Sequence, residues 1–287
     1  MVVDDLKQAM SMREISFISG IPLSEYYYVP RSRNVTRLDP SIREMIKRIA
    51  SERPTYGYRR VWAVLRNGGV RVNSKTVESV LRESSLSLPY ARHRGRTKSR
   101  NLFHPTGPDQ LWETDITYIP TAQGLTYLMA IKDCFTKEWQ GYNFSRSCLM
   151  NAVRAVEDAV LRVFDGKVPD GLVLRTDNGP QYISQQFRKA MNILGIKLEY
   201  IQKHTPEDNG NIESFHASLK ADYVWPYEFT NYREASSAIE LAFNDYNENR
   251  PHSSIDYLPP REFRRKFLND KSFREGYIKR MEVKLNE

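Results

Sequence analysis

Cysteine is nearly missing from this sequence. Cys134 and Cys148 are the only two, and neither lies near a pair of histidines, so neither a disulfide framework nor a cysteine zinc site is supported. A long uncharged apolar run is missing too, which leaves no candidate membrane span. The opening MVVDDLKQAM lacks the basic-then-apolar layout of a secretory leader, and with so little cysteine the chain is expected in a reducing, cytoplasmic setting. No Walker-type phosphate loop occurs, so no nucleotide cofactor is implied. His204, His216 and His252 are scattered, with no nucleophile–base pair to suggest a hydrolase triad. The cluster Tyr26–Tyr28 comes without the Arg/His constellation that a tyrosine recombinase needs.

What is present is a long, strongly charged chain. Its 287 residues, 40% of them hydrophobic, suffice for one large domain and one or two small ones. The charge is unevenly spread: residues 1–108 hold 20 Lys+Arg against 9 Asp+Glu, and residues 109–287 hold 23 against 26. A basic front half suits a polyanionic partner, because Lys and Arg neutralise phosphates. A solubilising surface is the alternative. The mildly acidic back half keeps carboxylates for chemistry.

The front half reads as helices. Leu6, Ala9, Met10, Ile15 and Ile18 recur at helical spacing, with Gly20 as a stop and Ser24 as a second start. This segment, 1–33, suits either a small helix-turn-helix or a docking arm. Residues 38–88 form a clearer unit. Asp39-Pro40 offers an N-cap followed by a proline at the first helical position, and Ile42, Met45, Ile46 and Ile49 repeat behind it. A second helix from Tyr58 to Arg66 would bury Val61, Trp62 and Leu65 and stop at Gly68-Gly69. Asn73 can cap a third, with Val77, Val80 and Leu81 inward and Lys75, Thr76, Ser79 and Arg82 outward. A basic outer face on the last of three short helices suits entry into a major groove; a bundle that only docks on its neighbour is the other reading. Residues 89–106 form a basic linker. Its Arg92, Arg94, Arg96, Lys98 and Arg100 make it either a solvated connection or a strap tracking phosphates.

From Gln110 the pattern changes to strands. LWETDITYI, LTYLMAIKD after a turn at Gly124, and KEWQGYNF predict three antiparallel strands. An amphipathic helix over 149–164, a buried strand LVLRT, a helix over 184–194, a strand KLEYI and a helix over 209–222 follow. That order is mixed α/β. A helix over 232–247, a Pro-rich loop and a basic helix near 260–268 complete the chain.

Three carboxylates stand at a telling interval. Asp115 lies inside LWETDITYI, Asp177 follows LVLR, and Glu213 lies in DNGNIESFHASLK with 35 residues between it and Asp177. Taken singly, each has a plain explanation: an edge-strand acid facing water, a turn aspartate in T-D-N-G, and a surface glutamate. Taken together, oxygen donors from separate elements suit a hard divalent cation. Two such ions about 3.5–4 Å apart can hold the attacking and leaving oxygens of a phosphodiester in line. On the predicted helix, Glu213, His216, Ala217 and Lys220 share one side, and Ile212, Phe215 and Leu219 adjoin it. Lys220 could then neutralise a phosphate beside the acids. Glu207 and Asp208 are nearby acids without Glu213's register to Lys220.

Asp115, the T-D-N-G around Asp177, the D-N-x-x-x-E ending at Glu213, and Lys220 seven residues on resemble the Asp-Asp-Glu core of OrfB-type insertion-sequence transposases. That core is similar to retroviral integrase. RPTYGYRRVW (53–62), which carries Arg59 and Arg60 as further candidate DNA contacts, resembles the helix-turn-helix block ahead of it. YNENRPHSSIDYLPPREF (246–263) resembles the family's C-terminal block. The resemblance implies an α/β, ribonuclease-H-like fold: a mixed five-stranded sheet with flanking helices over 107–225, preceded by small all-α helix-turn-helix modules and followed by a C-terminal helical extension over 226–287.

It further implies two Mg²⁺ ions, with Mn²⁺ as a substitute. Asp115 would be shared between them, Asp177 and Glu213 would hold one each, and Lys220 would touch the DNA backbone. The implied reaction is cleavage and strand transfer at element ends, by a homo-oligomer assembled on paired DNA ends and associated with the nucleoid. The zinc module that precedes the core in retroviral integrases has no counterpart here, so no zinc is expected. A transposase subunit from an upstream reading frame is a further expected partner. Two alternatives stay open: a nuclease of this fold that cuts without joining, and a non-catalytic DNA-binding regulator of transposition.

Overall fold

The computed structural model describes residues 10–27, 38–89, 103–147, 151–201 and 210–286. The chain divides into two units, Met1–Arg43 and Glu44–Glu287. In the first, α1 (Met12–Ser19) opens on a capping box between Ser11 and Glu14 and closes at Gly20, whose φ of 68° lies in the left-handed region. A short α2 (Leu23–Tyr26) follows. Leu6 and Ala9 lie outside the described residues.

Helix α3 (Pro40–Glu52) starts where the sequence predicts, with Asp39 Oδ1 accepting from the Ser41 N–H at 2.9 Å. Helices α4 (Tyr58–Asn67) and α5 (Ser74–Glu83) complete the bundle, and Asn73 Oδ1 caps α5 by accepting from the Lys75 N–H at 2.9 Å. Ile46, Ile49, Val61, Leu65, Val77, Val80 and Leu81 are buried as their spacing predicts. Each such burial contributes roughly 1.5–3 kcal/mol. Trp62 departs from expectation: it stays half-buried because its indole N–H donates to the Val72 carbonyl at 3.0 Å, at the edge of the bundle.

The sheet comprises β1 (Leu111–Thr121), β2 (Gly124–Asp133), β3 (Trp139–Ser145), β4 (Val173–Thr176) and β5 (Lys197–Tyr200), in the order β3-β2-β1-β4-β5. The first three strands are antiparallel; β4 runs parallel to β1, and β5 parallel to β4. Helix α6 (Asn151–Phe164) leads from β3 to β4, and α7 (Pro180–Ile183) with α8 (Gln185–Ile193) leads from β4 to β5. The single helix predicted over 184–194 is thus preceded by a separate turn of helix, because Ser184 takes an extended conformation and its hydroxyl caps α8 through the Phe187 N–H. This is the ribonuclease-H-like mixed five-stranded sheet with flanking helices that the resemblance implied.

Helix α9 (Gly210–Leu219) runs on into a π-helical turn, Lys220–Val224. Then come α10 (Tyr232–Glu248), α11 (Pro260–Asn269) and α12 (Lys271–Asn286). Two cores sandwich the sheet. Trp112, Met129 and Ile131 pack with α6 and α8 on one face. Ile119, Leu128, Ala130 and Trp139 pack with α9 and α10 on the other. Gly141 lets α6 approach β3 closely, since a Cβ there would lie 2.5 Å from the Ala159 backbone nitrogen.

Strand alternation puts Glu113, Asp115, Thr117 and Ile119 on one face of β1, the face that α9 covers. Lys132, buried and paired in register with Glu113, donates to the Asn211 carbonyl at 3.1 Å and so ties β2 to the start of α9. Burial pushes its ammonium pKa down. Across the strands, Arg175 on β4 bonds Glu113 Oε1 on β1 at 3.2 Å and Glu199 Oε2 on β5 at 2.7 Å.

Within the second unit, the segment from Arg53 to Asn67 is fastened to the C-terminal part. Arg53 grips Asp245 with two bonds of 2.6 and 2.5 Å, and Tyr223 donates to the same carboxylate at 2.7 Å. Asp222 accepts from Arg250 at 2.6 Å and from the Thr55 hydroxyl. Arg66 and Asn67 donate to the carbonyls of Asp256 and Tyr257 at 2.7 and 3.0 Å.

Candidate active site

Asp115 is half-buried near the middle of β1. Its Oδ1 accepts from the Ile116 N–H at 2.8 Å, and its Oδ2 lies 3.5 Å from His216 Nδ1 on α9. The parallel pairing of β1 with β4 sets Glu113 opposite Arg175. Two residues further along each chain come Asp115 and Asp177. Asp177 lies just past the end of β4, where its Oδ1 accepts from the Gly179 N–H at 2.9 Å. Asn178 fastens the same loop to the end of β5 by donating to the Ile201 carbonyl at 2.7 Å. Glu213 is exposed in the first turn of α9, where the helix N-terminus favours a carboxylate.

The electrostatics link these acids. Burial, then the charge of Asp115, pushes the Asp177 carboxyl pKa up against the opposing bond from Gly179. Burial, then Asp115, likewise pushes Glu213 up, while His216 acts the other way. Asp115 is therefore the common neighbour of the other two. Among the described residues, no three His, Cys, Asp or Glu side chains are arranged to hold a metal ion. The chemistry of the donor set nevertheless fits a divalent cation: hard carboxylate oxygens carried on three separate elements. Such oxygens suit Mg²⁺ or Mn²⁺.

At Gly179, in the loop after β4, a Cβ would collide with Gln181 Nε2 and lie 2.9 Å from Asp177 Oδ1, so both side chains would have to shift to admit it. Gly179→Ala is expected to displace that carboxylate and lower DNA cleavage on the order of 10–100-fold, with a melting temperature close to wild type. Parallel turnover and melting measurements check this; unchanged cleavage would contradict it.

The integrase core domain family matches over residues 105–206 and again over 194–260, and an HTH-like domain matches over 38–94. The transposase of insertion sequence IS904 from Lactococcus lactis is 31% identical over 77% of this chain and 92% of its own length. The chain belongs to the insertion-sequence transposases with an integrase core. Transposase InsD of IS2 from Escherichia coli is also 31% identical, over 82% of this chain and 81% of its own. Among solved structures, the catalytic core domain of HTLV-2 integrase in complex with magnesium is 17% identical and superposes with a TM-score of 0.43 over 56% of this chain and 99% of that one.

In this transposase the residues predicted to face DNA are differently situated. Lys75 and Arg82 are exposed on α5; Thr76 and Ser79 are half-buried, and the Ser79 hydroxyl bonds Glu83 at 2.9 Å. Arg59 is exposed above the Tyr58 ring, 5.3 Å from its centroid. Arg60 is half-buried, 5.7 Å from the Tyr56 centroid, where burial and then Arg250 push its guanidinium pKa down. Lys220 is half-buried at the start of the π-helical turn. Arg92, Arg94, Arg96, Lys98 and Arg100 lie outside the described residues, as do Glu207 and Asp208. The sequence placed His216 on the same side of the helix as Glu213 but gave it no role beside the acids.

Proposed function

We propose that this transposase is a divalent-metal-dependent polynucleotidyl transferase whose ligands are Asp115, Asp177 and Glu213. The observation that carries the reading is geometric: the parallel pairing of β1 with β4 sets Asp115 and Asp177 at matching positions two residues past Glu113 and Arg175, and His216 Nδ1, on the helix that carries Glu213, lies 3.5 Å from Asp115 Oδ2. Bound Mg²⁺ or Mn²⁺ would activate the attacking water or 3′-hydroxyl and neutralise charge at the leaving oxygen. The carboxylates would hold two ions, with Asp115 shared. Lys220, two turns along from Glu213, would neutralise a backbone phosphate and so hold the scissile strand in place. The outward face of α5 would grip the element end, and the bonds of that bundle to Asp222 and Asp245 would tie it to the part of the chain that follows the acids. The transposase would act as a homo-oligomer on paired ends.

A strand-transfer assay on the element's terminal DNA with Mg²⁺ tests this. Joined product that disappears with chelator supports it. Cutting without joining would favour a nuclease, and end binding without cleavage a regulator. No described helix is long and apolar enough to cross a membrane.

The DNA face carries its own prediction. Replacing Lys75 and Arg82 together with Ala should weaken end binding and flatten its dependence on log salt by about one unit per lost phosphate contact. A titration against NaCl reads the slope directly, and an unchanged slope would return α5 to a packing role.

A further inference from the structure

We infer that His216 is a positioning residue for Asp115, tying the helix that carries Glu213 to the strand that carries the central acid. The inference rests on the metal-dependent reading above and adds to it the group that aims the shared ligand. An aspartate carboxylate turns broadly about its last torsion, so a ligand that must serve two ions needs both oxygens held. Here each oxygen faces a nitrogen. Oδ1 accepts from the Ile116 N–H at 2.8 Å, and Oδ2 lies 3.5 Å from His216 Nδ1. With its proton on Nδ1, the imidazole can donate toward that carboxylate.

The rest of the imidazole's surroundings argue against a simple packing role. His216 is only 7% exposed, and its Nε2 is buried with no hydrogen-bond partner among the described residues. It borders an apolar face made by Ile212, Phe215 and Leu219, with the Phe215 ring 5.5 Å away. An aliphatic or aromatic side chain would fill that position without leaving a polar atom unsatisfied. What the imidazole offers that such a residue lacks is the Nδ1 donor toward Asp115. Partners that orient metal-binding groups in this way typically alter metal affinity by about 10–100-fold when removed. His216 also sits one helical turn from Glu213, on the same side of the helix.

The test uses the full chain and four variants. His216→Phe keeps the volume without the donor. His216→Asn places an amide nitrogen close to the position of Nδ1. His216→Gln carries its amide further out and serves if His216→Phe fails to fold. Asp115→Asn is the control. Mn²⁺ binding is measured without DNA, by the loss of the free-ion resonance signal, alongside the Mg²⁺ concentration for half-maximal cleavage, end-DNA affinity without metal, and melting.

His216→Phe or His216→Gln is expected to weaken Mn²⁺ binding and raise the Mg²⁺ half-saturation about 10–100-fold, with end-DNA affinity unchanged. His216→Asn should recover to within a few-fold of wild type. Wild-type Mn²⁺ affinity in His216→Phe, or an Asn variant as weak as the Phe variant, overturns the inference alone. A wild-type chain that binds no Mn²⁺, or an Asp115→Asn variant that binds it normally, overturns the metal-site reading and the inference with it.

Discussion

Asp115→Asn, Asp177→Asn and Glu213→Gln are each expected to lower strand cleavage and joining by at least about 10²–10³-fold while making the metal-free protein harder to unfold. The two effects share one cause. Burial and the charge of Asp115 raise the Asp177 and Glu213 carboxyl pKa values in the folded chain. A carboxyl whose pKa is higher folded than unfolded binds protons more readily in the native state. Stability therefore falls as pH rises from the unfolded to the folded value, and the penalty stays constant above it. Removing the charge removes the penalty.

The variants should accordingly show higher urea midpoints than wild type at neutral pH, and the gain should shrink as pH falls through the carboxylate range. Added Mg²⁺ should raise the wild-type midpoint, by about 2.7 kcal/mol where its concentration is 100 times the dissociation constant, and should do little for the variants. Urea melts at several pH values, with and without Mg²⁺, read all of this. Variants less stable than wild type without metal would show that the acids support the fold and do not burden it. Such an exchange of stability for chemistry is common at active sites.

The second large effect is structural. Arg175→Met is expected to destabilise the transposase by about 3–5 kcal/mol, because it leaves a buried carboxylate without its partner. Glu113 is fully buried and Arg175 nearly so, and Glu113 Oε2 has no hydrogen-bond partner among the described residues. Against a typical domain stability of about 5–15 kcal/mol the loss is severe. Arg175 also donates to the Phe103 carbonyl at 2.7 Å and to Glu199, so β1, β4 and β5 lose a common tie two residues short of Asp115 and Asp177. Adding Glu113→Gln to Arg175→Met should recover much of the loss, since the orphaned charge is then gone. Denaturant unfolding of the single and double variants decides it: a loss below about 1 kcal/mol in the single variant, or no recovery in the double, contradicts the account.

The bundle around Asp39, Asn73 and Gly68-Gly69 was legible because helix boundaries are set by side chains within a few residues of the backbone they cap. Two features near the C-terminal end escaped for a non-local reason. The helix predicted to run to 222 opens into a π-helical turn at Lys220–Val224, which presents Asp222 to Arg250 and Tyr223 to Asp245. Helix α12 (Lys271–Asn286) falls inside the expected helical extension over 226–287, but no separate helix was delimited there. It has no continuous apolar stripe and is held instead by its Phe273 and Tyr277 packing on Phe263.

By itself the sequence determined the order and type of most elements, the basic front half, and the three acids with their spacing, since propensity, capping and motif all act over short stretches of chain. Only the tertiary structure decided which of the charged residues meet. The Arg53–Asp245 pair spans 192 positions and the Glu113–Arg175 pair 62, and no local pattern encodes such a pairing. The same holds for His216 beside Asp115 and for the inward Arg60: a residue's chemistry is written in its side chain, but its partner is chosen by how sheet and helices pack.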